Sequence, residues 1–416
     1  MPAPVLPHRP LSRRLPSLAA GVLILASACG GETEAPTAPA LEPASATATA
    51  TALTFSGVSV GGLHSCALTT ASRIYCWGWN VFGQVGDGTT GFAHPTPGLV
   101  AGGLQFRRVS AGEYRSCGIA LDDRAYCWGS SSLTPVVVPG GHLFRQVSVG
   151  IEHTCAVTTD GRAYCWGLNN LGQFGTGVHD PSDNYHPVPE PVAGGHLFRQ
   201  VSAGGYHTCG VTTDNRAYCW GGSGSGQIGD SVKGGETCAK DGGAFPVLCR
   251  KSPALVAGGH RFRQLEAGGG PGQADPGHTC AVTTDDRAFC WGFNAHGQIG
   301  NGNLNNAYWP KRVAGGLLFR NVTAGVYDSC GATTDDHAYC WGGNLFGEIG
   351  DGTTTQRLTP TLVAGGHPFN QISAGEAHTC ARTTAGAAYC WGDNGTGQLG
   401  DGTTITRLKP RAVLGG

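Results

Sequence analysis

The feature that most constrains the fold is a segment of roughly fifty residues that recurs along the chain. One copy contains HTCAVTTDGRAYCWG at residues 153–167, and seven copies share its closing Cys-Trp-Gly triplet. In every copy the two cysteines are ten residues apart in the sequence. A repeat this regular predicts one closed or stacked architecture, in place of the separate domains that the chain length alone would suggest.

Each copy contains four short strand-like pieces, such as FRQVSAG, HTCAVTT, RAYCWG and PVPEPVAGG, separated by Gly, Asp and Asn. The 70 glycines and 24 prolines, against a single methionine, are typical of short strands and tight turns. Small segments such as VSAG suit a crowded innermost strand, and the tryptophan of each triplet suits the wedge between adjacent twisted sheets. We therefore predict an all-β chain that forms a single seven-bladed propeller of four-stranded antiparallel blades over 55–416.

Two details of this propeller depend on irregular copies. Between Trp128 and Phe144 the second copy lacks the Gly-rich NxxGQxGDG turn that follows the triplet in other copies, which predicts a reduced second blade. The segment FSGVSVG at 55–61 either opens the first blade or completes the last one. We favour the second arrangement, because pairing the two ends of the chain in one blade resists unzipping.

The pattern GxxHT followed by AYCWGxNxxGQLGDGTT resembles the repeat of the regulator of chromosome condensation family, over 55–416. This resemblance implies a seven-bladed propeller. It leaves the function open, because the family scaffold carries nucleotide exchange on a small GTPase, ultraviolet sensing in plants and β-lactamase inhibition by secreted bacterial proteins. The export signal described below places the chain in the bacterial secreted or lipoprotein branch.

The paired cysteines could bind a metal, act in redox catalysis or form disulfides. A histidine stands two residues before the first cysteine in five copies, at His64, His153, His207, His278 and His378. Such residues would point the same way on separate blades without a fourth ligand, so we expect hydrogen-bonding histidines and no metal. Redox catalysis requires a reactive thiol in a close motif such as Cys-x-x-Cys, and seven equivalent pairs ten residues apart do not fit that requirement.

Disulfides fit every feature of the pattern, because facing cysteines across an antiparallel hairpin can reach the required separation. Export would also place the chain in an oxidising compartment. The predicted pairs are one for each blade and one in an insertion: Cys66 with Cys76, Cys117 with Cys127, Cys155 with Cys165, Cys209 with Cys219, Cys280 with Cys290, Cys330 with Cys340, Cys380 with Cys390, and Cys238 with Cys249.

The first thirty residues differ in kind from the repeats. Arg9, Arg13 and Arg14 precede an apolar run at 18–26 and then small residues, which is typical of an export signal and too short for a spanning helix. LASAC resembles the lipobox of bacterial lipoproteins and implies lipidation of Cys29; the alternative is ordinary cleavage near Ala28. We predict a signal peptide at 1–29, a disordered Ala/Thr/Pro tether at 30–54, and a location in the cell envelope, lipid-anchored or secreted.

Several function classes are disfavoured by the residues themselves. Lys plus Arg number 27 against 28 Asp plus Glu, so no basic field draws the chain onto nucleic acid. No G-x-S-x-G or H-E-x-x-H motif is present, so we expect no enzyme and no cofactor. The plant photoreceptor has exposed tryptophans at the positions of Ile151, Gly205 and Glu376. We therefore expect no ultraviolet-sensing cluster in this chain. We predict a monomeric scaffold that binds a protein partner. The alternative is an inhibitor of an enzyme such as a β-lactamase, and nucleotide exchange on a small GTPase or glycan binding is less favoured.

Two insertions interrupt the repeat on adjacent copies. The fourth copy contains CAKDGGAFPVLC at 238–249, and the fifth contains GGGPGQADPGH at 268–278. Both connections should emerge on one propeller face as neighbours, and a disulfide-ordered loop would lower the entropy cost of binding. We expect 236–251 to be removable without loss of the fold. The candidate partner-binding residues are Lys240, Asp241, Phe245, Arg250, Lys251 and Asp275.

Overall fold

Each repeat folds into its own antiparallel sheet, and in all but the fourth repeat the strands are hydrogen-bonded in chain order from the axis outwards. The computed structural model describes residues 53–130, 132–182, 184–233, 236–238, 247–270 and 277–415. These residues form strands and turns, and none of their segments is a helix long and apolar enough to cross a membrane.

Blades 1 to 3 follow the four-strand plan. Their strands are β1 (Phe55–Val60), β2 (His64–Thr69), β3 (Ile74–Asn80) and β4 (Gly91–Leu99); β5 (Phe106–Ala111), β6 (Arg115–Ala120), β7 (Ala125–Gly129) and β8 (Ser132–Val137); and β9 (Phe144–Val149), β10 (His153–Thr158), β11 (Ala163–Gly167) and β12 (His186–Pro191).

Blade 4 has a fifth strand, whereas blades 5 to 7 return to four. Their strands are β13 (Phe198–Ala203), β14 (His207–Thr212), β15 (Ala217–Gly222), β16 (Glu236–Cys238) and β17 (Val247–Leu255); β18 (Phe262–Ala267), β19 (His278–Thr283), β20 (Ala288–Gly292) and β21 (Ala307–Arg312); β22 (Phe319–Ala324), β23 (Asp328–Thr333), β24 (Ala338–Gly342) and β25 (Arg357–Leu362); and β26 (Phe369–Ala374), β27 (His378–Thr383), β28 (Ala388–Gly392) and β29 (Arg407–Ala412).

The paired cysteines lie directly opposite each other on the second and third strands of every blade, as in Cys155 and Cys165. Their Cα atoms are 4.0 to 4.1 Å apart, and the sulfurs are bonded. Cys238 and Cys249 form the eighth disulfide, with Cα atoms 5.9 Å apart. The predicted fold class, including one disulfide within each blade, is confirmed.

Adjacent blades are joined by a hydrogen-bonded seam that repeats around the ring. The Gly-rich turn of one blade inserts a backbone carbonyl, from glutamine or in one copy Glu348, against the next blade. That carbonyl accepts the indole N–H of the next blade's triplet tryptophan at 2.7 to 2.9 Å. It also accepts a buried Ser or Thr hydroxyl from the same blade at 2.8 to 3.1 Å. Six of the seven interfaces have this arrangement.

Ring closure uses the same seam and no shared sheet. β1 belongs to the first blade, with β2, β3 and β4, so our preference for a blade shared by both chain ends was wrong. The Gln398 carbonyl, in the last turn, accepts the indole N–H of Trp77. The Gln371 side-chain amide accepts from the backbone N–H of Val58 and donates to its carbonyl. Closure therefore does not need strand exchange, because blade 7 meets blade 1 through the contacts that join other neighbours.

The second blade is reduced as expected, by loss of the Gly-rich turn, and it retains all four strands. β7 ends at Gly129 and β8 begins at Ser132, so only the turn between them is shortened. Strand β8 still pairs with β7 through Tyr126 and Val137. The outermost strand is held by the sheet itself, and the missing turn affects the interface with blade 3.

Candidate protein-binding face

The connections between first and second strands, and between third and fourth strands, emerge on one side of the propeller, which we call the loop face. Around the axis on this side the chain passes through Gly61, Gly112, Gly150, Gly204, Gly268, Gly325 and Gly375. A Cβ atom on Gly61 would lie 2.0 Å from the Gly112 carbonyl oxygen, so glycine is required where neighbouring blades approach. The channel is consequently narrow at this end.

Carboxyl groups line the channel mouth on the loop face. Glu113 and Glu376 both border it, on blades 2 and 7. Burial, together with the neighbouring Glu376, raises the pKa of Glu113 to about 7. Burial and the nearby Asp393 also raise the pKa of Glu376. The mouth is thus an acidic site where a cationic group would be stabilised and would promote ionisation of both carboxyls.

A partly exposed aromatic cluster adjoins this mouth across the interface of blades 1 and 2. Trp79, Phe82 and Tyr114 make mutual edge contacts, with ring centroids 5.3, 6.2 and 5.9 Å apart. Phe82 is 42% exposed, at the tip of the Gly-rich turn, and the neighbouring Val81 is equally exposed. Aromatic rings held rigidly at a surface supply contact area at low entropic cost, which suits a protein interface.

A second apolar patch lies on blades 5 and 6 of the same face. His296 contacts Tyr327 and Phe293, at centroid distances of 4.9 and 6.3 Å. At the next turn tip Leu345 is 75% exposed and Phe346 is 41% exposed. The loop face therefore presents two apolar patches near an acidic centre.

The opposite mouth of the channel is wider and is bordered by arginines. A chamber of about 810 Å³ is lined by residues that include Arg107, Arg145, Arg199 and Arg263. Each of these guanidinium groups donates a hydrogen bond to the phenylalanine carbonyl that opens the next blade. These arginines thus hold neighbouring blades together.

The repeated histidines form hydrogen bonds between blades, as the sequence analysis predicted. The Nε2 atom of each lies 2.7 to 2.9 Å from the buried hydroxyl of the following blade, as between His153 and Thr208. Burial lowers the pKa of all five to about 3, so they are neutral. The hydroxyl donates to the turn carbonyl, so it accepts from an Nε2–H histidine. Among the described residues no His, Cys, Asp and Glu set is arranged to hold a metal ion.

The insertion of blade 4 forms a fifth strand, and its disulfide packs beside Leu171 of blade 3 and Tyr206 of blade 4. Two of the six candidate residues can be placed. The Arg250 guanidinium pairs with the Asp230 carboxylate at 2.7 Å and is largely buried, and Lys251 lies 3.5 Å from Glu236. Lys240, Asp241, Phe245 and Asp275 lie outside the described residues. Strand β17 extends through 249–255 along β15, so removal of 236–251 would cut into the sheet.

Sequence reasoning missed the aromatic cluster and the second apolar patch. The signal was present in the variable positions of the repeat, where turns read NVFG at 80–83 and NLFG at 344–347 but NGTG at 394–397. Trp79 follows the first triplet directly, where the seventh copy has Asp393. Apolar residues at positions that the fold leaves free are a better indication of an interface than the length of a loop.

The fold and the loop face define a disulfide-stapled seven-bladed propeller with a largely closed axis. Profiles of the Regulator of chromosome condensation (RCC1) repeat match this chain at residues 55–84, 106–133, 144–173, 198–227, 276–298 and 369–398 in one form, and at 72–119, 160–211, 335–382 and 385–415 in another. The chain belongs to this repeat family.

Among curated relatives, the probable E3 ubiquitin-protein ligase HERC4 of Homo sapiens is 29% identical over 261 residues. That alignment covers 62% of this chain and 19% of the ligase. The ultraviolet-B receptor UVR8 of Arabidopsis thaliana is 28% identical over 291 residues, covering 62% of this chain and 57% of the receptor. The chain thus spans about a fifth of the ligase and just over half of the receptor, and both relatives are eukaryotic.

Solved structures show the same fold. Human WBSCR16 superposes with a TM-score of 0.67 at 18% identity, covering 79% of this chain and 86% of that one. Prp20p from Saccharomyces cerevisiae, whose binding to Gsp1p and histones has been described, superposes with a TM-score of 0.64 at 21% identity, covering 77% and 80%. At these identities the likeness extends to the propeller fold alone.

The acidic mouth makes the stability of the propeller depend on pH. The folded state raises the pKa of Glu113 to about 7 from the 4.5 usual for a glutamate, so folding disfavours its ionised form. The unfolding free energy should therefore fall as pH rises from 4.5 through 7, by at most about 3 kcal/mol from this residue. We expect Glu113→Gln to match wild type at pH 4.5 and to exceed it in denaturant unfolding at pH 8. The exposed control Leu121→Ala, which removes no titratable group, should show no such pH-dependent difference, and equal pH profiles for Glu113→Gln and wild type would contradict the assignment.

Proposed function

We propose that this chain is an extracytoplasmic protein-binding scaffold that presents its loop face to a partner. The observation that carries the proposal is the aromatic cluster of Trp79, Phe82 and Tyr114, in which Phe82 is exposed and the other two rings are partly buried, beside the carboxyl groups of the channel mouth. Rigid aromatic anchors surrounded by polar groups are typical of interface centres.

The chemistry of the loop face indicates the kind of partner surface that would fit. Glu113 and Glu376 favour a Lys or Arg side chain at the mouth, since a cation would offset the cost of ionising buried carboxyls. Phe82 and Leu345 favour apolar residues on either side of that cation. A protein surface with a basic residue between apolar ones meets both requirements.

Eight disulfides support an oxidising, extracytoplasmic location, because such bonds persist outside the reducing cytosol. We further propose that Cys29 carries a lipid and that 30–54 serves as a tether to the cell envelope. Both rest on the sequence, since 1–52 lie outside the described residues. Binding through the loop face would equally serve an inhibitor of an exported enzyme, such as a β-lactamase.

The loop-face proposal is tested by paired variants on the two faces of the propeller. The soluble 50–416 chain would be used to capture a partner from the envelope fraction, and the affinity would then be measured with the purified partner. Phe82→Ala and Leu345→Ala should each weaken binding tenfold or more, about 1.4 kcal/mol, because they remove exposed anchors without touching the core. Leu121→Ala and Leu197→Ala truncate leucines of similar exposure on the opposite face and should bind as wild type. Equal losses on both faces, or losses only on the opposite face, would overturn the assignment.

The anchor proposal is tested with the full-length protein. Cys29→Ser should release it from the membrane fraction into the soluble fraction and abolish incorporation of a labelled fatty acid, because the thiol is the lipid attachment point. The Ser130→Ala variant, changed at an exposed residue, is the control for expression level and should fractionate as wild type does. Wild-type protein that is soluble and free of label would favour plain secretion.

A further inference from the structure

The interface between blades 2 and 3 is the one place in the ring where the Gly-rich turn is missing. Strand β7 ends at Gly129 and β8 begins at Ser132, whereas in blade 1 strand β3 ends at Asn80 and β4 begins only at Gly91. At the other six interfaces that turn fills the space against the next blade's tryptophan. A Cβ atom added to Gly86, for example, would lie 2.5 Å from Trp128.

Without the turn, three hydrogen-bond donors at this interface have no acceptor among the described residues. Trp166 occupies the position whose indole N–H meets a turn carbonyl in the other six blades, and no such bond is formed here. Thr154, its cross-strand partner, is fully buried, and its Oγ1 has no hydrogen-bond partner. The Nε of Arg115, which replaces the repeat histidine, is also buried without a partner. A buried donor without an acceptor destabilises a protein, so the interface is incomplete as it stands.

The space left by the turn is a cleft with aromatic walls. Its volume is about 570 Å³, and its lining includes Arg115, Trp128, Val136, Trp166, Tyr185 and Pro187. The Arg115 guanidinium lies over the Tyr185 ring at 5.1 Å and donates to the Tyr185 hydroxyl at 2.6 Å. The cleft is within the size range of ligand sites, and Arg115 directly follows Tyr114 of the aromatic cluster.

We propose that this cleft binds a glycine-containing turn of a partner protein, whose backbone carbonyl takes the place of the missing one. The Trp166 indole borders the cleft and Thr154 lies beside it on the adjacent strand, and a backbone turn is the group that satisfies the equivalent Trp and Ser or Thr donors at every other interface. The cationic Arg115 disfavours a metal ion and favours a turn that carries an acidic residue, as GQVGDG does at 83–88. This proposal rests on the proposed function, because it specifies which element of the partner the scaffold recognises.

The probe for this site is a cyclic peptide with the sequence of 80–90, NVFGQVGDGTT, which is the chain's own turn. It should bind the folded protein with one-to-one stoichiometry in calorimetry. Thr154→Val should raise the melting temperature of the free protein, because it removes an unpaired buried hydroxyl, and should weaken peptide binding at least fivefold. Trp166→Phe should weaken binding to a similar extent. Thr379→Val removes a hydroxyl that is already bonded to the Glu348 carbonyl, so it should lower the melting temperature and leave peptide binding unchanged.

A graft tests the same site from the other direction. Insertion of 80–90 between Gly129 and Ser132 should fill the cleft within the chain, raise the melting temperature and abolish peptide binding. The cleft proposal is overturned if wild type does not bind the peptide, if the graft or Thr154→Val variant binds it as wild type does, or if an oligosaccharide binds in place of the peptide. Self-association that the graft abolishes would identify a second copy of this chain as the occupant and overturn the partner assignment. If the protein captures a partner through its loop face but does not bind the peptide, the cleft proposal alone is refuted. If it binds the peptide but the loop-face variants capture the partner as wild type does, the proposed function alone is refuted.

Discussion

A single backbone carbonyl that accepts two hydrogen bonds joins neighbouring blades at six of the seven interfaces. In blade 4, for example, the Gln173 carbonyl of the preceding turn receives both the Trp220 indole N–H and the Thr208 hydroxyl. His153 of the preceding blade completes the chain by bonding the same hydroxyl. Because all these groups are buried, any one of them left unpaired would cost about 1 to 3 kcal/mol. Turn, tryptophan and hydroxyl therefore occur together at six interfaces, and a histidine joins them at five of these.

The disulfides stabilise a different level of the structure. Seven of the eight join the second and third strands of one blade, so each of these constrains a short hairpin and does not cross an interface. By loop-entropy arguments a ring this small contributes up to roughly 3 kcal/mol. Covalent bonds thus stabilise the individual blades, while ring closure comes from hydrogen bonds and tryptophan packing. This division leaves the turn tips and first connections free to vary, and the apolar and acidic residues of the loop face occur there.

The periodic features could be predicted from the sequence, because each follows from spacing. Ten-residue cysteine separation places Cys155 opposite Cys165 in a hairpin, and one tryptophan for each repeat fills each wedge. Ring closure could not be predicted, since both chain phases satisfy the same strand pattern and only the contacts of Val58 and Trp77 decide between them. The pairing of Arg250 with Asp230 could not be predicted, because twenty residues separate them in the sequence. The missing turn was visible, but its effect on Thr154 and Trp166 depends on an adjacent blade.

The seam is tested most directly by hydrogen exchange of the tryptophan indole N–H groups, followed by NMR on protein with labelled tryptophan. Six of these groups, on Trp77, Trp128, Trp220, Trp291, Trp341 and Trp391, donate to turn carbonyls, whereas that of Trp166 does not. The seam account predicts slow exchange for those six and exchange at least tenfold faster for Trp166. Protection of Trp166 equal to that of the other six, or rapid exchange of all seven, would contradict it.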